Sequence, residues 1–368
     1  MLSEKSAFRQ FNLSVFLHFI GRGLYAIFVP IILLKNNYPL EIVLALILCS
    51  SFVTVLTSYL SERVFRHKRA ILFNILAVMT EIFLIILLSY NYISIYIFLG
   101  IITCEGLYYG FYYISYRSII NHYTSHKKIG KNLGNINIAL TVAGIITPVV
   151  GALLLDINTI YLIIIIAVFL ALSIVPLIQL TDADINGQDL PVIPLKTAGK
   201  ELLEFSILSG IEIIVFNLWA IYAFINNISL VMIGTIAVAG SVANIFITEE
   251  LKERLNKART RRNIKILVAF IIMAASVYRY ILPGHILATN IVFGAAFLLM
   301  QLSIDVSLLN KLKGYQTYRS SAIISVVAFM SRAVMVILAF VLGLKYIILA
   351  PIVLCLGYVL LIRKELNR

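Results

Sequence analysis

"SYLSERVFRHKRAIL", Ser58 to Leu72, crowds Glu62, Arg63, Arg66, Lys68 and Arg69 into one turn between two apolar runs. The chain around it is 61% hydrophobic and 13% charged, with a mean hydropathy of +1.00. A soluble domain must clothe itself in polar side chains and runs near half apolar, so this composition belongs to a protein whose solvent is a bilayer. The charged stretch then reads as a turn at the membrane surface.

The runs on either side, Pro39–Leu60 and Ala70–Tyr90, are each about twenty residues, the length of a helix that crosses the hydrocarbon core. The same pattern recurs at Phe11–Leu34, Ile93–Tyr116, Leu133–Leu155, Ile160–Leu180, Leu202–Ile225, Ile228–Ile247, Ile264–Leu282, Ile286–Leu309, Ile323–Leu344 and Tyr346–Ile362. About twelve transmembrane helices are predicted, because the ten-residue alternation of an outer-membrane barrel is missing. Basic residues gather in alternate loops: the opening turn, His126–Lys131, Lys196 with Lys200, Leu251–Lys265, Asn310–Arg319 and the C-terminal RKELNR. The other loops hold only Lys35 and Lys345. Basic residues resist translocation, so both termini are expected in the cytoplasm. The net charge of +13 is therefore topological, and the scattered basic turns carry no nucleic-acid-binding module. The first span is too long for a signal-peptide core and no small-residue cleavage pattern follows it, so the N-terminus is expected to be retained. Cys49, Cys104 and Cys355 all lie inside spans and frame neither a disulfide set nor a metal site.

Residues Thr181–Lys200 make the longest interruption and divide the chain into 1–180, a linker 181–200, and 201–368. Two six-span halves about a central cytoplasmic linker suit a transporter that rocks around a midplane site.

The opening turn also resembles the loop between the second and third helices of the major facilitator superfamily, whose pattern runs Gly-x-Leu-small-Asp-Arg-x-Gly-Arg-Lys. Leu60, Ser61, Arg63 and Arg66 are in register, Glu62 stands for the Asp, and Ser58 and Phe65 replace the glycines. "AGIITPVVGALL" in the fifth span is similar to the Gly-x-x-x-Pro-x-x-Gly stretch of that superfamily, matched by Gly144, Pro148 and Gly151. Small residues let helices approach, and proline loosens the ladder where a hinge is useful. The resemblance implies an all-α membrane protein of two six-helix bundles with a cavity lined by helices one, four, seven and ten. It also implies a cytoplasmic latch of Glu62, Arg63 and Arg66 that closes when the cavity faces outward; the alternative is a plain basic turn.

Ionisable groups inside spans are expensive and mark function or its structural partners. In the first span His18, Arg22 and Tyr25 share a helical face; in the fourth Glu105, Tyr109, Tyr112 and Tyr116, with Tyr108 and Tyr113 beside them, do likewise. Glu212, Phe216 and Trp219 share a face of the seventh, and Asn290, Gly294, Gln301 and Asp305 form a stripe in the tenth. These residues are the expected cavity lining. A carboxylate in such a cavity can take up and release a proton, which makes Glu105 and Glu212 the proton-carrier candidates. Arg22 either holds an anionic group of the substrate or pairs with Glu105. Glu81 and Arg332 read as structural partners or gates, and Arg279 as snorkelling to the interface with its tyrosines.

Two motifs are accidental. Asp182, Asp184, Asn186 and Gly187 begin like a calcium loop, but its twelfth place holds Ile193 instead of a glutamate. Glu249, Glu250 and Arg254 match an intramembrane-protease signature in a charged loop, without the membrane-embedded histidines such chemistry needs. No nucleophile with its base, phosphate cradle or metal cluster is visible, so no enzyme and no cofactor is expected. The expectation is a monomeric secondary transporter in a prokaryotic plasma membrane, exporting an amphipathic or hydrophobic small molecule in exchange for protons. Uptake of an organic anion, a lipid or lipid-linked glycan flippase, and a transport-dead scaffold are the alternatives.

Overall fold

The computed structural model describes residues 4–64, 70–90, 94–124, 128–180, 195–281, 286–312, 315 and 317–366. Every regular element among them is helical. Among the described residues, eleven segments are long and apolar enough to cross a membrane. With Leu230–Leu251, a 22-residue helix standing where the eighth span was predicted, they are named α1 (Ser6–Lys35), α2 (Leu40–Ser61), α3 (Ala70–Leu88), α4 (Ile95–Tyr123), α5 (Ile129–Ile157), α6 (Thr159–Ile178), α7 (Ala198–Ile225), α8 (Leu230–Leu251), α9 (Ala258–Ile281), α10 (Ala288–Leu312), α11 (Ser320–Leu342) and α12 (Leu344–Ile362). In lipid only helices and closed barrels satisfy their backbone groups, and a sequence without the barrel's alternation crosses as helices.

The connections away from the chain termini are tight. α1 and α7 both end in an Asn-Asn turn whose second residue, Asn37 or Asn227, sits at φ 62. The hydrogen bonds match too: Tyr38 N donates to Leu33 O and Asn37 N to Leu34 O, as Ile228 N does to Ala223 O and Asn227 N to Phe224 O. Each is a Schellman cap with asparagine in the left-handed position that other L-residues resist. The same cap therefore closes both α1 and α7. Asn37→Val is expected to lower stability by about 1–2 kcal/mol and Asn37→Gly to leave it unchanged, read by thermal melting in detergent.

α1 and α7 also break at corresponding depths. α1 leaves helical geometry at Leu24 and Tyr25, passes a short 3-10 turn at Ala26–Phe28 and restarts at Val29 and Pro30. α7 carries a π-helical turn, Ile214–Leu218, immediately after Glu212 and Ile213. Irregular backbone at membrane depth is tolerated where it is enclosed by protein or lines a cavity.

Two helix pairings make the most extensive contacts between the bundles. α2 packs on α11, with Ser58 donating to Ser325 at 3.0 Å and Phe52 against Phe329 at 5.9 Å between ring centres. α5 packs on α8 through Asn244 to Thr141 at 2.8 Å, Asn137 to Thr248 at 3.2 Å and Lys252 to Asn135 at 3.1 Å. Apolar clusters also connect the bundles on both sides of the centre. Away from the termini, Phe28, Ile31 and Ala152 meet Trp219, Ala220, Ala223 and Leu230. Toward the terminal face, Ile120, Leu133 and Ile136 share a cluster with Leu302, Leu308 and Leu309.

Two expectations fall outside what is described. Arg66 and residues 181–194 lie outside the described residues, and of Glu62 and Arg63 only the backbone is described, so the latch is not placed.

Candidate functional site

Between the clusters lies a cavity of two lobes. The larger, about 350 Å³, is walled by Tyr109, Tyr112, Tyr113, Tyr116 and Arg117 of α4, Glu212 and Phe216 of α7, Gln301 and Asp305 of α10, and Arg332 of α11. The smaller, about 270 Å³, adds Arg22 of α1, Glu105 of α4, and Gly144 and Pro148 of α5. Tyr109, Glu212, Phe216 and Arg332 line both, so the lobes meet there.

Arg22 organises the buried polar groups. Its guanidinium donates to Glu81 Oε1 at 2.9 Å, to Glu105 Oε1 at 3.2 Å and to the Tyr109 hydroxyl at 2.6 Å. Its charge lies 4.1 Å above the Tyr108 ring and 4.7 Å above that of Tyr109, a favourable placement against the π face. The Tyr25 hydroxyl donates to Glu81 Oε1 at 2.6 Å; the break in α1 after Leu24 is what presents this ring. His18 Nε2 is 2.8 Å from the Tyr108 hydroxyl and 3.4 Å from Glu81 Oε2, with its ring stacked on Tyr112 at 4.7 Å.

Two carboxylates therefore share one guanidinium; among the described residues Glu81 Oε2 and Glu105 Oε2 accept no hydrogen bond, with the ionisable His18 Nε2 3.4 Å from Glu81 Oε2. Burying an uncompensated charge is costly. The triad consequently has room for one more positive charge, a proton or a cation.

In the other bundle Arg332 donates to Glu212 Oε2 at 2.7 Å. Arg332 also lies 5.9 Å from the centre of the Tyr109 ring. A chain Glu81, Arg22, Tyr109, Arg332, Glu212 thus crosses from one bundle to the other. Lower in the larger lobe, Arg117 lies 5.3 Å from the Tyr113 ring centre and 5.5 Å from that of Phe205, and among the described residues its Nη1 has no hydrogen-bond partner. Asp305 lines the same lobe, and within the described residues it and Arg117 do not form an ion pair.

Of the predicted lining residues, Arg22, Glu105, Tyr109, Tyr112, Tyr116, Glu212, Phe216, Gln301 and Asp305 border the cavity. His18 and Tyr25 are buried behind it as partners of Tyr108 and Glu81. Trp219 is not on the face of Glu212. The π turn inserts a residue into the intervening helix, each residue turns it by about 100°, and Trp219 packs in the apolar cluster with Phe28. Asn290 is buried off the lining. Arg279 does not snorkel away with its tyrosines; it stacks 4.3 Å over Phe293 and 5.6 Å over Trp219.

Glu81 is more central than predicted. Arg117 was missed, because the predicted fourth span stopped at Tyr116 whereas the helix continues to Tyr123. The available signal was the i, i+4 spacing of Arg117 from Tyr113, on the face already counted as lining.

Gly144, Pro148 and Gly151 lie at helix crossings. Gly144 and Pro148 line the smaller lobe, and Gly151 abuts the break in α1: a β-carbon there would lie 1.9 Å from the Leu24 carbonyl oxygen.

A cavity with aromatic and apolar walls and a few buried charges, set between two six-helix bundles, is the architecture of a membrane solute transporter. The chain belongs to the Major Facilitator Superfamily, whose profile matches residues 11–362. Its fold is similar to that of the human organic anion transporter MFSD10 (TETRAN), with a TM-score of 0.68 at 13% identity over 98% of this chain and 100% of that one. It is also similar to a bacterial homologue of the iron transporter ferroportin in the outward-facing state (0.69, 15%, 100% of both chains) and to the transporter FucP in the outward conformation (0.70, 12%, 97% of both). At these identities the likeness is one of fold. No curated protein matches by sequence.

Proposed function

We propose that the protein is a secondary transporter that alternates access to its central cavity and couples passage of an amphipathic organic molecule, by preference export, to protons carried on the Arg22 triad. The observation that carries the reading is the pair of buried glutamates on one arginine. A site short of one positive charge is a loading point for a proton, and the Tyr109 bridge to Arg332 and Glu212 supplies a route by which loading in one bundle is felt in the other. The cavity walls join tyrosine and phenylalanine rings to Arg117, Asp305, Gln301 and Glu212, which suits cargo of mixed polarity better than a bare acyl chain. A transport-dead scaffold has no need of such a cavity.

One observation favours a second reading, organic-anion transport. Arg22 is occupied by Glu81, Glu105 and Tyr109, so the anion-binding group would be Arg117, whose Nη1 has no hydrogen-bond partner among the described residues. The fold likeness to an organic anion transporter is compatible with it.

The test is flux in proteoliposomes with lipophilic cations, organic anions and sugars. Glu105→Gln is expected to retain exchange of substrate for substrate while losing accumulation driven by a pH gradient. Arg117→Gln is expected to lose anion flux selectively if the second reading holds. Absence of flux for every class with the wild type contradicts the carrier reading.

A further inference from the structure

A second cavity, about 340 Å³, opens inside the C-terminal bundle at the terminal face, between α7, α9, α10 and α12. Its charged lining is Lys200, Arg261, Arg262, Lys265 and Lys311 against Glu201 and Glu204. Cations outnumber carboxylates, and part of that acid is already engaged. Glu204, buried to 1% exposure, accepts from Lys265 at 2.5 Å, and Lys200 lies 3.8 Å from its other oxygen. Lys265 further donates to Ser307 at 2.9 Å, which fixes it in place. Arg261 donates from one guanidinium nitrogen to the carbonyls of Leu255 and Asn256 at 2.6 and 2.9 Å, so backbone holds it in place while it forms no ion pair among the described residues.

We infer that this cavity binds a phosphate-bearing anion. Arginine forks and lysine ammoniums on three converging helices supply multidentate donors suited to phosphate oxygens. The volume falls in the range of organic ligand sites, roughly 300–1,000 Å³, so it accommodates a headgroup larger than a bare ion. The depth is right as well. The apolar part of α9 begins at Ile264 and α10 ends at Leu312, which puts the basic side chains at headgroup level, on the face that the basic loops assign to the cytoplasm and its anionic lipids. Two sources share this chemistry, an anionic phospholipid headgroup and a soluble phosphate ester. Because every lining residue belongs to one bundle, the site stands apart from the transport cavity, and it keeps its shape whatever the two bundles do relative to each other. Its existence does not rest on the transport reading.

The experiment is binding to the full chain purified in detergent, measured by native mass spectrometry and by thermal shift, with phosphatidylglycerol, phosphatidylcholine, glycerol 3-phosphate and inorganic phosphate as separate probes. Phosphatidylglycerol is expected to bind at least tenfold more tightly than phosphatidylcholine, and the double variant R262Q/K311Q to lose that preference while melting, lipid-free, like the wild type. Displacement of phosphatidylglycerol by glycerol 3-phosphate supports the site and names a soluble ester as an alternative occupant; binding of phosphatidylglycerol alone supports it as a lipid site. Lys35→Gln, on the opposite face, is the control for diffuse attraction. Equal loss in Lys35→Gln, or phosphatidylglycerol binding no more tightly than phosphatidylcholine with neither glycerol 3-phosphate nor inorganic phosphate bound, overturns the inference.

Discussion

Arg22→Leu is expected to lower stability by roughly 3–5 kcal/mol, the range for removing one member of a buried ionic group. The size follows from what remains. Glu81 and Glu105, already two acids on one base, would face each other in a site that water barely reaches, with Tyr25 and Tyr109 losing their common partner. The loss belongs to the orphaned acids more than to the arginine. Accordingly, Glu81→Gln and Glu105→Gln placed in the same chain as Arg22→Leu are expected to restore much of the stability, an interaction that a mutant cycle isolates. Thermal melting in detergent reads both. An Arg22→Leu variant as stable as the wild type would contradict the geometry of the triad.

Gly151→Ala is the second large effect. A β-carbon at this position would sit 1.9 Å from the Leu24 carbonyl oxygen and 2.7 Å from its carbon, both rigid backbone, so α1 or α5 has to move. Overpacking of this kind costs typically 1–3 kcal/mol. The function is expected to suffer beyond that, because Leu24 follows Arg22 by two residues and a shift there draws the guanidinium away from Glu105. Gly144→Ala is the matched control: its β-carbon would meet only the Ser241 hydroxyl at 3.6 Å, an ordinary contact. Gly151→Ala is expected to melt earlier and transport less, and Gly144→Ala to melt like the wild type. Equal behaviour of the two would mean that α5 does not bear on the break in α1.

Much of the fold was legible because bilayer physics is stringent. Span length and the loop asymmetry of lysine and arginine marked out the helices, and the positions of Glu105, Tyr109 and Tyr112 on one helical face followed from 3.6 residues per turn. What was not legible depends on how helices are rotated against each other. Glu81 stands alone in the third span, and nothing in its own helix reveals that it meets Arg22 and Tyr25. Trp219 was misplaced because a π turn cannot be read from periodicity, which assumes the helix it interrupts. Arg117 was left out because the predicted span stopped one residue short of it, at Tyr116, while the helix runs on to Tyr123. The Asn-Asn turns were visible as polar breaks, but their equivalence emerged only from the shared hydrogen bonds of the two caps.

The coupling claim is tested most directly by counting protons. Purified protein in liposomes with a trapped pH dye would be given substrate from outside, the wild type beside Glu105→Gln and Glu212→Gln. The account predicts a substrate-evoked pH change in the wild type that disappears in Glu105→Gln while substrate still exchanges. Substrate flux with no pH change in the wild type, or an undiminished pH change in Glu105→Gln, would contradict it.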